Sequence, residues 1–275
     1  MTINKLIKIQ HNKRTYNIDL NEVIDLSIPY NFNGKQPNFY NVKKGTLRPL
    51  KTDNIDWDVS MGASCNVSEI SMNIHCSGTH TESVGHLLKK SGDIGLLLTK
   101  PIMAANLITI DTINFCECSD KYHCDVNDYE SVISVENFLL KYNKYCDNKT
   151  DVLIVRTKPN HENKIFTNYT KSPAPFFTND TISMIYELKI KHLIVDIPSI
   201  DRSSDNGILG NHRMFWGNGF SPHTKINPKS KKTITELAYI PNSVKDGFYF
   251  VNIQIPHFVS DAAPSRPLLF KSFEV

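Results

Sequence analysis

Between positions 74 and 86 the chain reads Ile74-His75-Cys76-Ser77-Gly78-Thr79-His80-Thr81-Glu82-Ser83-Val84-Gly85-His86. Three histidines, a cysteine and a glutamate fall within those thirteen residues. Imidazole, thiolate and carboxylate are the donors that hold borderline divalent metals, so the segment is an inventory of metal ligands. In the functional reading His80 and Glu82 share a metal, and His75 or Cys76 supplies a third ligand. His86 then sits close enough to act as a general base, or to pass a proton to a leaving group. In the bland reading the histidines are hydrogen-bonded strand-end residues around a tight glycine turn at Gly78. No other segment is so dense in chemistry, and the functional reading is preferred.

The elements that must position these groups are read from periodicity. From Glu69 to Cys76 residues alternate, with Ile70, Met72, Ile74 and Cys76 on one face and Ser71, Asn73 and His75 on the other. A strand that kept this alternation to its end would turn Cys76 to the apolar side and His75 to the polar side. Leu6–Ile9 and Thr15–Leu20 flank the turn-like His11-Asn12-Lys13 and read as a hairpin. Ala104–Ile110, Val152–Arg156, Leu193–Asp196 and Phe248–Ile255 are further strand candidates. Val135–Tyr145 and Thr181–Lys189 read as helices, the second capped by Asn179 or Asp180. The polar, aromatic-studded stretch around Pro37-Asn38-Phe39-Tyr40 reads as a long loop covering a pocket. Strands and helices mix without a clean βαβ alternation, and no linker or repeat interrupts them. The expectation is a mixed α/β chain forming one domain over residues 1–275.

Composition narrows the function classes. Hydrophobic residues make up 40% and charged residues 21%, ordinary for a globular protein, and the net charge of +3 gives no argument for a nucleic-acid partner. The basic cluster at Lys229–Lys232 lacks interleaved aromatics and reads as a solvated loop. No run of residues suits a bilayer span, and Met1–Lys5 has no signal-peptide character, so no membrane partner is expected. The six cysteines read as free thiols in a reducing compartment, making a cytoplasmic location the expectation.

The run Gly78-Thr79-His80-x-Glu82-x-x-x-His86 resembles the His-x-Gly-Thr-His-x-Asp-x-Pro-x-His signature of the cyclase family, which includes bacterial kynurenine formamidases (arylformamidases) and isatin hydrolases. Asp25-Leu26-Ser27, Asp196-Ile197-Pro198-Ser199-Ile200-Asp201 and Asp261-Ala262-Ala263-Pro264-Ser265-Arg266 are similar, in the same order, to its Asp-Leu-Ser, Asp-x-x-Ser-x-Asp and Asp-Gly-x-Pro-x-Arg stretches. The resemblance implies a metal-dependent amide or lactam hydrolase with a swivelling β/β/α fold, a central mixed sheet with flanking helices. It implies Zn²⁺ or Mn²⁺, one or two per chain, and a homo-oligomer, dimer or tetramer. The family's first ligands map onto position 76, His80 and Glu82, its proton-transfer histidine onto His86, and its further ligands onto His212 and Glu236. Between those last two, Phe215 to Lys232 looks like an insertion.

Three departures stand out. Strict spacing from His80 lands on Cys76, with His75 one residue early, so a thiolate replaces the imidazole or a bulge swings His75 into place. Strand parity favours Cys76, whereas a one-residue adjustment in the Gly-Thr-His turn favours His75. Glu82 stands where the family has Asp, and Val84 where it has Pro. These changes suggest an altered substrate, or a silent relative that binds a small carbonyl compound or scaffolds a complex.

Other candidates carry less. Cys116-Glu117-Cys118 with His123-Cys124 matches no standard zinc module and reads as reduced loop cysteines. A Cys76–His80 nucleophilic pair is disfavoured, because a thiol on an apolar face has a raised pKa. Asp201, beside Arg202, reads as an ion-paired or loop-closing carboxylate whose best functional role is to support a ligand. Phe39, Tyr40 and Trp216 are candidate walls for an aromatic small-molecule substrate.

Overall fold

The computed structural model describes residues 6–90, 92–146, 149–217, 219–223 and 225–275. The Met1–Lys5 reading lies outside them. Ten strands of the main sheet are numbered in chain order. They are β1 Leu6–His11, β2 Arg14–Asp25, β3 His80–Ser83, β4 Met103–Asp111, β5 Val152–Lys158, β6 His192–Val195, β7 Thr233–Glu236, β8 Gly247–Gln254, β9 Ala262–Pro264 and β10 Arg266–Glu274. Their spatial order is β1-β2-β10-β8-β4-β5-β6-β7-β3-β9. The central strands β4, β5, β6 and β7 run parallel, and every flanking pair is antiparallel.

Among the described residues, three α-helices accompany the sheet: α1 Val135–Tyr145, α2 Asn179–Glu187 and α3 Gly210–Gly217. β4, β5 and β6 are buried along nearly their whole length, which is why they read as largely apolar runs, whereas β7 is buried with the polar sequence Thr-Ile-Thr-Glu. Side chains alternate across a strand. Ile108, Ile110, Leu153, Val155, Leu193, Val195 and Ile234 therefore share one face with Phe138 of α1, Ile182 and Ile185 of α2, and Phe215 of α3. Leu107, Val152, Ile154 and Ile194 fill a second core with Leu26, Val251, Ile253 and Leu269. Each such side chain contributes on the order of 1.5–3 kcal/mol on burial. The sheet and its flanking helices agree with the mixed α/β expectation.

Four local expectations are corrected. The strand read over 69–76 stops at Ser71, paired only with Thr46–Pro49 in an exposed two-stranded ribbon. Asn73 ends it: its Oδ1 accepts the Cys76 N–H at 3.0 Å, and residues 74–76 turn. The parity argument at His75 and Cys76 lapses with the strand. Second, α2 is capped by Thr178, whose hydroxyl accepts the Thr181 N–H at 3.2 Å. Asn179 and Asp180 are engaged elsewhere, Asn179 with Asn211 and Asp180 with the Lys121 N–H. Third, β4–α1–β5 and β5–α2–β6 are parallel crossovers, so a βαβ pattern does run through the centre. Fourth, Lys232 is not a solvated loop cation: its Nζ donates to Phe215 O at 3.1 Å and lies 4.1 Å from the Tyr186 ring centroid.

Candidate metal centre

His80 and Glu82 are two residues apart on β3, so they project from the same face. Register places Glu236 of β7 opposite His80, and Ile234, on the helix side of the sheet, opposite Glu82. His80, Glu82 and Glu236 therefore share the helix side, while Thr81 and Thr235 pair on the other face with hydroxyls 2.7 Å apart. From α3, His212 reaches the same point. Its Nε2 is 2.9 Å from Glu82 Oε1 and 3.5 Å from Glu236 Oε1, and His80 Nε2 is 3.6 Å from Glu236 Oε2.

All four side chains are buried, yet His80 Nε2, His212 Nε2 and Glu82 Oε1 have no aligned hydrogen-bond partner. Glu82 Oε1 and His212 Nε2 are close enough to bond but not oriented to do so. Buried polar atoms left in this way are costly. Donor atoms that share one ion at about 2.0–2.2 Å are held about 3–4 Å apart, and these separations fall in that range. The donor set fits a divalent metal.

The second carboxylate oxygen of Glu82 faces two more imidazoles, His75 Nδ1 at 3.1 Å and His86 Nδ1 at 3.8 Å. His75 enters from the 74–76 turn, its ring 5.1 Å from that of His80 and 4.4 Å from that of His86. His86 sits on the short helical turn Val84–Leu87. His75 and His86 are 28% and 26% exposed at the side chain and form the open lip of a buried cluster. Gly78 has no positive φ, so it is not needed to turn the chain. A Cβ there would lie 2.7 Å from the Tyr30 ring, which packs against the backbone and donates its hydroxyl to Thr79 O at 2.8 Å.

Burial would push Glu82 up, but the positive fields of His86 and His212, with the close approach of His212 and His75, hold it well below the usual carboxylate range. Burial and the Glu82 charge likewise oppose ionisation of Glu236, and His212 and His80 outweigh them. Burial lowers His75, but Asp261 and Glu82 outweigh it and raise the ring to about 10. His212 is raised well above its ordinary value, because Glu82 and Asp201 outweigh burial. These directions describe a pocket rich enough in negative charge to hold cations in place of protons.

Cys76 stands apart. It is buried in a satellite core with Ile28, Phe39, Tyr169 and Leu237, and burial, followed by the Glu236 charge, pushes its thiol up to about 11. The structure brings His75, not Cys76, into the histidine cluster. Phe39 lies in the Cys76 core. Trp216 is buried behind His212, with ring centroids 5.7 Å apart and its Nε1–H donated to Lys232 O. Tyr40, 54% exposed, donates its hydroxyl to Ser203 O and presents an open face.

Two carboxylates given no definite site role in the sequence hold the cluster in place. Asp201 Oδ2 accepts His212 Nδ1–H at 2.7 Å, and its two oxygens take the backbone N–H groups of Asn211 and His212 at the start of α3. This leaves His212 Nε2 facing the centre. Arg202, its sequence neighbour, pairs with Glu130 instead. Asp261 lies against both His75 and His86. Its signal in the sequence was only its place in the Asp-Ala-Ala-Pro-Ser-Arg match.

A further group, His123 with Asp201 and Asp205, has ligand-like spacing, with Nε2 3.8 and 3.5 Å from the two carboxylates. Its hydrogen bonds argue against a metal there. The Asn211 amide gives its hydrogens to Phe177 O and Ile200 O, so its oxygen faces Asn179. The Asn179 amide nitrogen therefore donates to Asn211 and to His123 Nδ1. With Nδ1 accepting, the His123 proton is on Nε2, which lies near the two carboxylates without an aligned hydrogen bond and has no lone pair for a metal.

Known proteins share this architecture. A family model described as a putative cyclase matches residues 24–202. No curated protein matches the sequence. Among solved structures, a predicted metal-dependent hydrolase from Bacillus stearothermophilus is similar at 17% identity and TM-score 0.58, over 90% of this chain and 98% of that one. An isatin hydrolase bound to the product analogue thioisatinate is similar at 12% identity and TM-score 0.60, over 92% and 93% of the two chains. Isatin hydrolase A from Labrenzia aggregata, bound to benzyl benzoate, gives 12% identity and TM-score 0.59, over 90% and 93%.

Proposed function

The chain belongs to the cyclase family, and from that premise we propose that it is a metal-dependent hydrolase that opens a carbon–nitrogen bond in a small aromatic compound. The bond is an amide, a formamide or a lactam. One observation carries the reading: in a buried pocket, His80 Nε2, His212 Nε2 and Glu82 Oε1 converge without hydrogen bonds. The two isatin hydrolases and the Bacillus protein support it through their shared fold and their names.

In this reading His75, His80, Glu82, His212 and Glu236 hold one or two divalent ions, Zn²⁺ or Mn²⁺, with Glu82 between the two groups of imidazoles. Such an ion lowers the pKa of water towards neutrality and polarises a carbonyl. His86, at the lip, takes the proton from water and delivers it to the leaving nitrogen. Tyr40 offers an aromatic face to the substrate, while Phe39 and Trp216 back the site from the core. Cys76 fills the adjoining core and is not a ligand. The whole chain acts as one unit and as a homo-oligomer, dimer or tetramer, in the cytoplasm, with no nucleic-acid or membrane partner. The silent-relative alternative would gain support from His75 and Cys76 both turned away from His80, but the His75 ring lies 5.1 Å from that of His80 and faces Glu82.

The test is hydrolysis of a formamide, N-formylkynurenine, and a lactam, isatin, by chelator-stripped protein with and without added Zn²⁺ or Mn²⁺. Activity that depends on metal and falls by about 10²-fold or more in His86→Ala is expected. Full activity in the stripped protein or in His86→Ala would refute the reading.

A further inference from the structure

A single oxygen, Asp261 Oδ2, lies 3.1 Å from His75 Nε2 and 3.3 Å from His86 Nδ1. The other oxygen, Oδ1, is taken by the Ser260 hydroxyl at 3.0 Å. The backbone fixes this placement. Asp261 immediately precedes edge strand β9, and its carbonyl accepts both the Ser83 N–H and the Ser83 hydroxyl at 2.9 Å. Ala262, next in the chain, is the register partner of Glu82. At Gly85 a Cβ would lie 3.2 Å from Asp261 Cβ and 2.5 Å from the Gly92 backbone nitrogen, so only glycine lets the His86 turn come this close.

An imidazole that donates from one nitrogen presents a lone pair at the other, and the acceptor it finds decides which. His75 has Nε2 on Asp261 and Nδ1 directed at Glu82 Oε2. His86 uses the opposite nitrogen, Nδ1, leaving Nε2 outside the hydrogen bond. The two rings are tilted by 34° with centroids 4.4 Å apart, a spacing at which two full positive charges would repel. One carboxylate oxygen can accept an N–H from each ring.

We propose that Asp261 is a positioning residue that orients two imidazoles at once and fixes which nitrogen of His86 carries the proton. By accepting His75 Nε2–H it holds Nδ1 facing Glu82 Oε2 and the metal position. By accepting His86 Nδ1–H it frees Nε2 as the base. Metal binding and proton transfer thereby rest on one side chain. The consequence for catalysis rests on the hydrolase reading, but the hydrogen bonds to Asp261 and the His86 tautomer do not.

The experiment is long-range ¹H–¹⁵N NMR of the full chain, ¹⁵N-labelled at histidine, with and without Zn²⁺, and with His86 assigned from a His86→Gln variant. Wild type is expected to show His86 protonated at Nδ1. An unconstrained imidazole prefers Nε2–H, so Asp261→Ala should return His86 to that form and weaken Zn²⁺ binding by about tenfold or more. Asp261→Asn keeps an oxygen acceptor, and its amide nitrogen can face the Ser260 hydroxyl, so it should retain the Nδ1–H tautomer. A structural role alone would not separate Asn from Ala in this way. Nε2–H at His86 in wild type, or Nδ1–H persisting in Asp261→Ala, overturns the proposal, and the wild-type signal decides even where a variant does not fold. A wild type that binds no Zn²⁺ but shows Nδ1–H refutes the hydrolase reading and leaves the tautomer proposal standing.

Discussion

Replacing Asp201 by Asn removes a charge while keeping the shape, and the groups packed around the side chain dictate the effect. Four donors point at this carboxylate: Tyr122 OH at 3.0 Å and Asn211 N–H at 2.9 Å on Oδ1, His212 N–H at 3.1 Å and His212 Nδ1–H at 2.7 Å on Oδ2. An amide offers one acceptor oxygen, so either orientation sets its NH₂ against a backbone N–H. With the NH₂ towards His212, the imidazole must shift its proton to Nε2, where a metal would be. With the NH₂ towards Asn211, the ring keeps its tautomer but loses the anion that makes it a strong ligand. The unsatisfied N–H costs about 1–3 kcal/mol of stability. Loss of the orienting carboxylate weakens metal affinity by about 10–100-fold, or roughly 1.4–2.7 kcal/mol. Chelator competition gives the Zn²⁺ Kd, and thermal unfolding of the metal-free protein gives the stability. A folded Asp201→Asn protein that binds Zn²⁺ within about twofold of wild type would refute the reasoning.

Three other perturbations have defined outcomes. His192 is buried between β5 and β7, where burial depresses its pKa to about 4 from 6.5. The unfolded chain then binds the extra proton first, so this contribution is full above pH 6.5 and is lost as pH falls towards 4. It amounts to about 3 kcal/mol, and His192→Asn should flatten that part of a stability–pH curve; an unchanged curve counts against the assignment. Gly78→Ala should displace the Tyr30 ring and destabilise by about 1–3 kcal/mol, and an unchanged Tm would show that the close approach is dispensable. Phe138→Ala, which empties the α1 contact with the sheet, should cost about 3–5 kcal/mol in denaturant unfolding, and a loss under about 1 kcal/mol would contradict the core assignment.

How much of this was legible in the sequence depended on how local each cause is. Helix α1 runs over Val135–Tyr145 as its periodicity indicated, because Ser134 caps it and Phe138 faces the sheet within one turn. His80 and Glu82 share a face by spacing alone. Between Glu69 and Cys76 the alternation misled, since the Asn73 side chain captured the backbone and turned it. Helix α3 escaped notice because it is short and bounded by glycines, and the carboxylate that holds its first N–H groups lies nine residues before its first residue, at Asp201. Asp261 was visible as a letter in a motif, but its role depends on a strand pairing across the sheet edge that no local pattern reveals.

The central claim is that the buried cluster holds a divalent metal. Elemental analysis of the purified protein, repeated after Zn²⁺ or Mn²⁺ is supplied and excess removed, tests it most directly. The account predicts about one or two equivalents per chain, lost when His80→Ala is combined with Glu236→Gln in a protein that still folds. No bound metal in the wild type after loading would contradict it.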